Sequence, residues 1–207
     1  MLDEWNSGLI EKQLLSYMFR VNYDYNNKYL LTVSGRWDGA SQLAEGNKWA
    51  FFPSAALGWR LDQEEFLKDV TWLNQLKFRL GVGVTGNSAI DPYQTKGAIV
   101  SLYYPFGSAL APGYAASEPL IKDGAVAMAN KNLSWEKTTQ YNIGLDYSVL
   151  NGRISGVLDF YTSRTTDLLM AMTIPSLNGY TNTYANVGKT SNIGVDITLN
   201  TVKRQNT

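Results

Sequence analysis

The residues that could do chemistry in this chain are few, and their spacing argues against most reactions. Gly81-Val82-Gly83-Val84-Thr85-Gly86 matches G-x-G-x-x-G. A dinucleotide site needs a helix to follow, so that its N-terminus meets the pyrophosphate. Here Asn87-Ser88-Ala89-Ile90-Asp91-Pro92 follows instead, with no amphipathic period. Asp62, Glu64 and Glu65 form a local acidic group, but adjacent residues of a helical turn do not face one another, and acids at a helix start are favoured by its dipole. Asp38, Glu45 and Asn47 offer hard oxygen ligands of the kind Ca²⁺ takes, without the dense ligand run of a calcium loop. The chain contains no histidine and no cysteine. That excludes histidine bases, thiolate nucleophiles, disulfides and the usual zinc sites. Catalytic, cofactor and metal residues are therefore expected to be absent.

What remains is a set of charges at alternating positions: Arg20, Arg36, Arg60, Lys77, Arg79, Asp146 and Asp159. Each sits in an extended, period-two pattern, where successive side chains point to opposite faces. Tyr17, Phe19, Val21, Tyr23 and Tyr25 alternate with Ser16, Met18, Arg20, Asn22 and Asp24. Tyr29, Leu31, Val33 and Trp37 oppose Thr32, Ser34, Arg36 and Asp38; Phe78, Leu80, Val82 and Val84 oppose Lys77, Arg79 and Thr85. Trp49, Phe51, Leu57 and Trp59 are in phase in a third segment, where Pro53 suggests a bulge or strand end. Tyr141, Ile143, Leu145, Tyr147 and Val149 lead into Asn151-Gly152, the pair that a type I′ hairpin turn favours, and Ile154, Leu158 and Phe160 return. Ile193, Val195, Ile197 and Leu199 alternate in a last strand.

The connections run short, long, short, very long, short, long. The segment 62–74 is expected to hold one helical turn, from Phe66, Leu67, Val70 and Leu73; the regions 86–137 and 165–188 are expected to be loops. Transmembrane barrels have this asymmetry, with short turns on one side and long loops on the other. Several strands have the ~9–11 residues needed to cross a bilayer at a tilt. Aromatic residues are abundant, with 13 Tyr and 6 Trp, and collect near strand ends as in interfacial girdles. A net charge of zero gives no reason to expect nucleic-acid binding. No apolar run reaches the ~20 residues of a membrane helix, and MLDEWNSGLIEK lacks the basic start and apolar stretch of a signal peptide. The competing architecture is a soluble β-sandwich that binds carbohydrate through exposed Trp and Tyr.

Several stretches carry a resemblance. Arg36-Trp37-Asp38-Gly39-Ala40-Ser41, Phe52-Pro53-Ser54-Ala55-Ala56-Leu57-Gly58-Trp59-Arg60, the run Leu76–Asn87 and the hairpin Leu133–Leu169 resemble SusC/RagA-type TonB-dependent outer-membrane transporters. Pro175, Gly179-Tyr180, Asn186-Val187-Gly188 and Asn192-Ile193-Gly194-Val195 fit as well. The resemblance implies an all-β, antiparallel up-and-down transmembrane barrel segment in the outer membrane. It also implies a SusD-like lipoprotein and TonB as partners of the whole protein, and an oligosaccharide or peptide as cargo. Such barrels have about 22 strands, so residues 1–207 are expected to form a partial barrel domain, an open curved sheet without plug, TonB box or closing strand. The seven charged residues are then expected to face the lumen.

Overall fold

The computed structural model describes residues 9–96, 98–106, 109–117, 127–175, 177, 180 and 182–203; within 98–106 and 109–117 and at 127 it describes the backbone only. Gly179 and residues 204–207 lie outside the described residues. Seven strands make the main sheet: β1 (Leu14–Tyr25), β2 (Tyr29–Ala40), β3 (Trp49–Arg60), β4 (Leu73–Asn87), β8 (Glu136–Val149), β9 (Ile154–Thr166) and β12 (Lys189–Thr201). Every neighbouring pair is antiparallel and the order is β1-β2-β3-β4-β8-β9-β12. This is a nearest-neighbour meander. β1 and β12 do not pair with each other, so the sheet is open and each has one unpaired edge.

The turns follow from local chemistry. Asn26 and Asn27 take positive φ between β1 and β2, which asparagine tolerates better than most residues. The β8–β9 turn has φ of 57° at Asn151 and 78° at Gly152, and the Arg153 N–H donates to the Leu150 carbonyl at 3.3 Å, the type I′ arrangement. Asp62–Asn74 departs from expectation. It forms two short 3-10 turns, Leu61–Gln63 and Glu65–Leu67, and Phe66 is exposed.

Two expected loops contain strands. Residues 86–137 include a hairpin of β5 (Ala98–Phe106) and β6 (Ala109–Ser117) and the short β7 (Ala127–Met128). Residues 165–188 include β10 (Leu169–Thr173) and β11 (Asn182–Asn186), and a three-stranded sheet joins β10, β11 and β7. The β11–β7 pairing is parallel and only two residues long, a contact that no local pattern announces.

Register decides the faces, because directly opposed residues share one. Tyr17, Phe19, Leu31, Val33, Leu80, Val82, Ile143, Leu145 and Leu158 all fall on the same side. Among the described residues no second sheet covers them: Phe19 is 54% exposed, Ile143 49% and Leu31 40%. Rings gather at both ends of this face. Tyr25, Tyr29 and Trp59 stack in series near the short turns, while Tyr17 stacks on Trp49 and Trp37 meets Phe51 near the long loops. Tyr17 and Tyr25 lie in one strand about 27 Å apart at ~3.4 Å per residue. With tilt, that matches an apolar band of about 25 Å between aromatic girdles.

The buried core sits elsewhere, at the long-loop end. Ala40, Leu43, Phe52, Ile90, Leu133 and Trp135 form it, with Val84, Leu169 and Tyr184 packed against it. Phe52 and Trp135 meet edge to face at 5.3 Å, and the Trp135 indole N–H donates to the Lys48 carbonyl at 2.9 Å. The β3–β4 ladder stops at Ser54–Gly83. Beyond it the Phe52 ring lies over Gly86, where a Cβ would come within 2.0 Å of the ring. Pro53, which has no ladder donor, stands where β3 keeps only β2 as its partner.

Leu133 is fully buried in this core. Leu133→Ala should cost about 2–5 kcal/mol of local stability. In the full-length protein, hydrogen exchange should speed up at residues 40–44 and 133–135 while β8 and β9 stay protected.

Candidate functional site

The opposite face of the sheet is polar. The register places Arg20, Arg36, Arg60, Lys77, Arg79, Asp146 and Asp159 on it. Three of them come together. Arg79 on β4 donates from Nε to Asp146 Oδ1 on β8 at 3.0 Å, and from Nη2 to Asp159 Oδ1 on β9 at 2.9 Å. One guanidinium thus ties three strands, with geometry that a lysine could not reproduce. Gly144 makes room for it: a Cβ there would lie 2.3 Å from Asp159 Oδ1 and 2.7 Å from Arg79 Nη2. Asp196 lies directly across from Asp159 on β12, and no basic group pairs with it among the described residues.

The other candidates have different surroundings. Arg36 pairs with Asp38, which is fully buried, and Arg60 pairs with Asp62 at 3.0 Å. Asp38 stands two residues along β2 from Arg36, so in the extended chain the two share a face, and that spacing was the readable signal; Asp62 lies in the 3-10 turn after β3 and reaches back to Arg60 from there. Lys77 faces Asp146 in register but forms no ion pair, and Arg20 has none among the described residues. Among the described residues no group of three or more Asp or Glu side chains gathers as a metal site.

Glu64 carries a role the sequence did not reveal. It accepts from the Tyr29 hydroxyl at 2.8 Å, the Trp59 indole N–H at 3.0 Å and Lys28 Nζ at 3.2 Å. The carboxylate fastens the β3–β4 connection to the β1–β2 turn. The hydrogen bonds from Trp59 and Tyr29, then Lys28, hold its pKa below the ordinary glutamate range.

At the long-loop end a cavity of about 730 Å³ opens between the segment leading into β1, the β2–β3 loop and residues 92–96. Its lining includes Ser41, Lys48, Tyr93, Lys96 and Lys131, and also the carboxylates of Glu11 and Glu45. The walls are built firmly. Gln42 is buried and donates to the Ser88 carbonyl at 2.8 Å; the Ala44 N–H donates to the Leu133 carbonyl at 3.0 Å. Tyr93 has φ of +70°, an outlier for an aromatic residue.

A long-stranded open meander with an uncovered apolar face and an ion-paired polar face is the geometry of a barrel wall. The family model described as "TonB dependent receptor-like, beta-barrel" matches residues 4–202. This chain belongs to that family. Members are outer-membrane β-barrels, and the resemblance to SusC/RagA-type transporters holds at the level of individual relatives. The chain is 42% identical to the TonB-dependent receptor SusC of Bacteroides thetaiotaomicron, over 96% of its own length and 19% of that protein. It is 38% identical to the TonB-dependent receptor P26 of Formosa agariphila, over 91% of this chain and 18% of that one. The structure of the RagAB peptide transporter superposes with a TM-score of 0.80 at 31% identity, covering 94% of this chain and 20% of the other. The siderophore receptor PirA of Pseudomonas aeruginosa shares the fold, with a TM-score of 0.58 at 15% identity. The chain therefore spans about a fifth of the length of these relatives.

Two outcomes follow for a full-length receptor carrying this sequence. Gly144→Ala should break the Arg79 bridge and cost about 1–3 kcal/mol, between the limits for exposed and buried pairs. In an Arg79→Met background, denaturant unfolding should show that the same substitution costs much less. Glu64 has a depressed folded pKa, so its contribution is present above the ordinary glutamate range and is lost as pH falls through the lowered value. Acidification through that window should raise hydrogen exchange in residues 60–72, and Glu64→Gln should reduce the pH dependence to the part that Asp62 and Glu65 contribute.

Proposed function

We propose that residues 1–207 form part of the barrel wall of an outer-membrane TonB-dependent transporter that imports oligosaccharides or peptides. The observation that carries this reading is the uncovered apolar face backed by a polar, ion-paired one across seven strands. Lipid tails cover such a face without any second layer. The polar face, with Arg20, Arg36, Arg60, Lys77, Arg79, Asp146 and Asp159, then lines the interior, where it meets a plug or the solute path. A soluble carbohydrate-binding sandwich would have to bury the apolar side chains against a second sheet, so it is not favoured.

Similarity to SusC and to the RagAB transporter supports a two-component importer, in which the full-length protein works with a SusD-like surface lipoprotein and draws energy through TonB. The chain is a structural part of the conduit and does no covalent chemistry. The relatives that support this reading are named as receptors and transporters.

The test is a charged substitution on the apolar face of the full-length protein. Leu145 lies on the apolar face of β8, directly opposite Leu158 of β9. Leu145→Lys should cost about 2–4 kcal/mol in unfolding from bilayers and lower the temperature at which the protein loses its heat-modifiable migration on detergent gels. A negligible effect would contradict the lipid-facing assignment.

A further inference from the structure

The cavity at the long-loop end is lined with three ammonium groups that pair with no carboxylate among the described residues. They belong to Lys48, Lys96 and Lys131. Two carboxylates share the lining. Glu11 Oε1 accepts from Gln13 Nε2 at 2.9 Å, and Glu45 is exposed. The balance leaves one net positive charge, with separate anion-binding and hydroxyl-accepting groups in one concave site. Ammonium groups bind carboxylate or sulfate as point charges, while glutamate and amide oxygens accept from hydroxyls.

Two further features narrow the ligand. Tyr93 is 47% exposed, and its hydroxyl accepts from the Glu11 N–H at 3.2 Å, which fixes the phenol end of the ring at the cavity border. Its φ of +70° is a strained conformation held by the Lys96 N–H bond to the Tyr93 carbonyl at 2.9 Å, and strain of this kind gathers at ligand sites. Leu43 and Ala44 in the lining are each only 1% exposed, so polar and charged side chains make up the larger part of its surface. Its volume of about 730 Å³ lies within the ~300–1,000 Å³ of small-ligand sites.

We infer that this cavity is a binding site for an acidic oligosaccharide, one whose sugars carry carboxylate or sulfate groups. Lys48, Lys96 and Lys131 hold the anionic groups, Tyr93 offers an aromatic face to a sugar ring, and Glu11 and Glu45 accept from hydroxyls. The inference rests on the transporter reading, since it places cargo at the long-loop end of the barrel wall.

The experiment uses the full-length transporter purified in detergent and isothermal titration with four probes: hexagalacturonate, a sulfated carrageenan hexasaccharide, neutral maltohexaose and a pool of mixed hexapeptides. At least one anionic hexasaccharide should bind tenfold or more tightly than maltohexaose and the peptides, with affinity falling as salt rises. Lys96→Gln with Lys131→Gln should weaken that binding at least tenfold; Tyr93→Ala should weaken it while Tyr93→Phe keeps most of it. Neither anionic probe exceeding the neutral one, the peptide pool binding tightest, or the lysine variant binding as the wild type would overturn the inference. Outer-membrane fractionation and heat-modifiable migration of the same protein separate the two failures. If these are normal and the binding pattern is absent, the cavity assignment alone fails; if they too are absent, the transporter reading fails with it.

Discussion

A backbone N–H or C=O that faces hydrocarbon has only the neighbouring strand to bond, and the rest of this structure depends on that constraint. It explains why the seven strands are long, antiparallel and joined to their sequence neighbours, with ladders of eleven or more residues at most pairings. It also fixes the faces. Register carried from Tyr17 through Leu31, Leu80 and Ile143 to Val195 keeps these apolar side chains on one side, because a one-residue shift would turn a whole strand over. Arg79 reinforces the register from the polar side by reaching two carboxylates on two successive strands.

The two ends of the sheet are stabilised by different physics. At the short-turn end, polar contacts do the work: Glu64 gathers three donors, and the Leu150 N–H donates to the Trp72 carbonyl at 2.8 Å. At the long-loop end, the chain builds a small core of its own around Leu43, Leu133 and Trp135. That core lets segments far apart in sequence present fixed walls to a cavity. A wall with an apolar exterior needs no core of its own, so the buried residues concentrate where the loops meet.

Much of this was legible in the sequence, and the reasons for the rest are physical. Alternation alone placed Tyr141–Val149 and Ile154–Phe160 in a hairpin, and the Asn151-Gly152 turn has the geometry those residues favour. Alternation also assigned Arg79, Asp146 and Asp159 to one face, but their meeting depends on which residue faces which across β4, β8 and β9, and that is set by pairing partners. The hairpin β5–β6 was obscured because Pro105, Gly107, Pro112 and Gly113 read as loop chemistry. β10 and β11 are short, and β11 gains its second neighbour from a segment more than fifty residues earlier. The cavity was unreadable for the same reason: Ser41, Tyr93 and Lys131 meet only through tertiary packing.

The central claim is that one face of this sheet meets lipid and the other meets water. The absence of cysteine in the chain makes a direct test practical. Single cysteines placed in turn from Tyr141 to Val149 of the full-length protein in membranes can be probed with a water-soluble maleimide and with a lipid-confined spin-label quencher. The account predicts a period of two, with positions 141, 143, 145, 147 and 149 reached from lipid and shielded from the maleimide, and positions 142, 146 and 148 the reverse; Gly144 is left in place because a Cβ there would meet Arg79 and Asp159. Equal labelling along the strand, or maleimide access at Ile143 and Leu145, would contradict it.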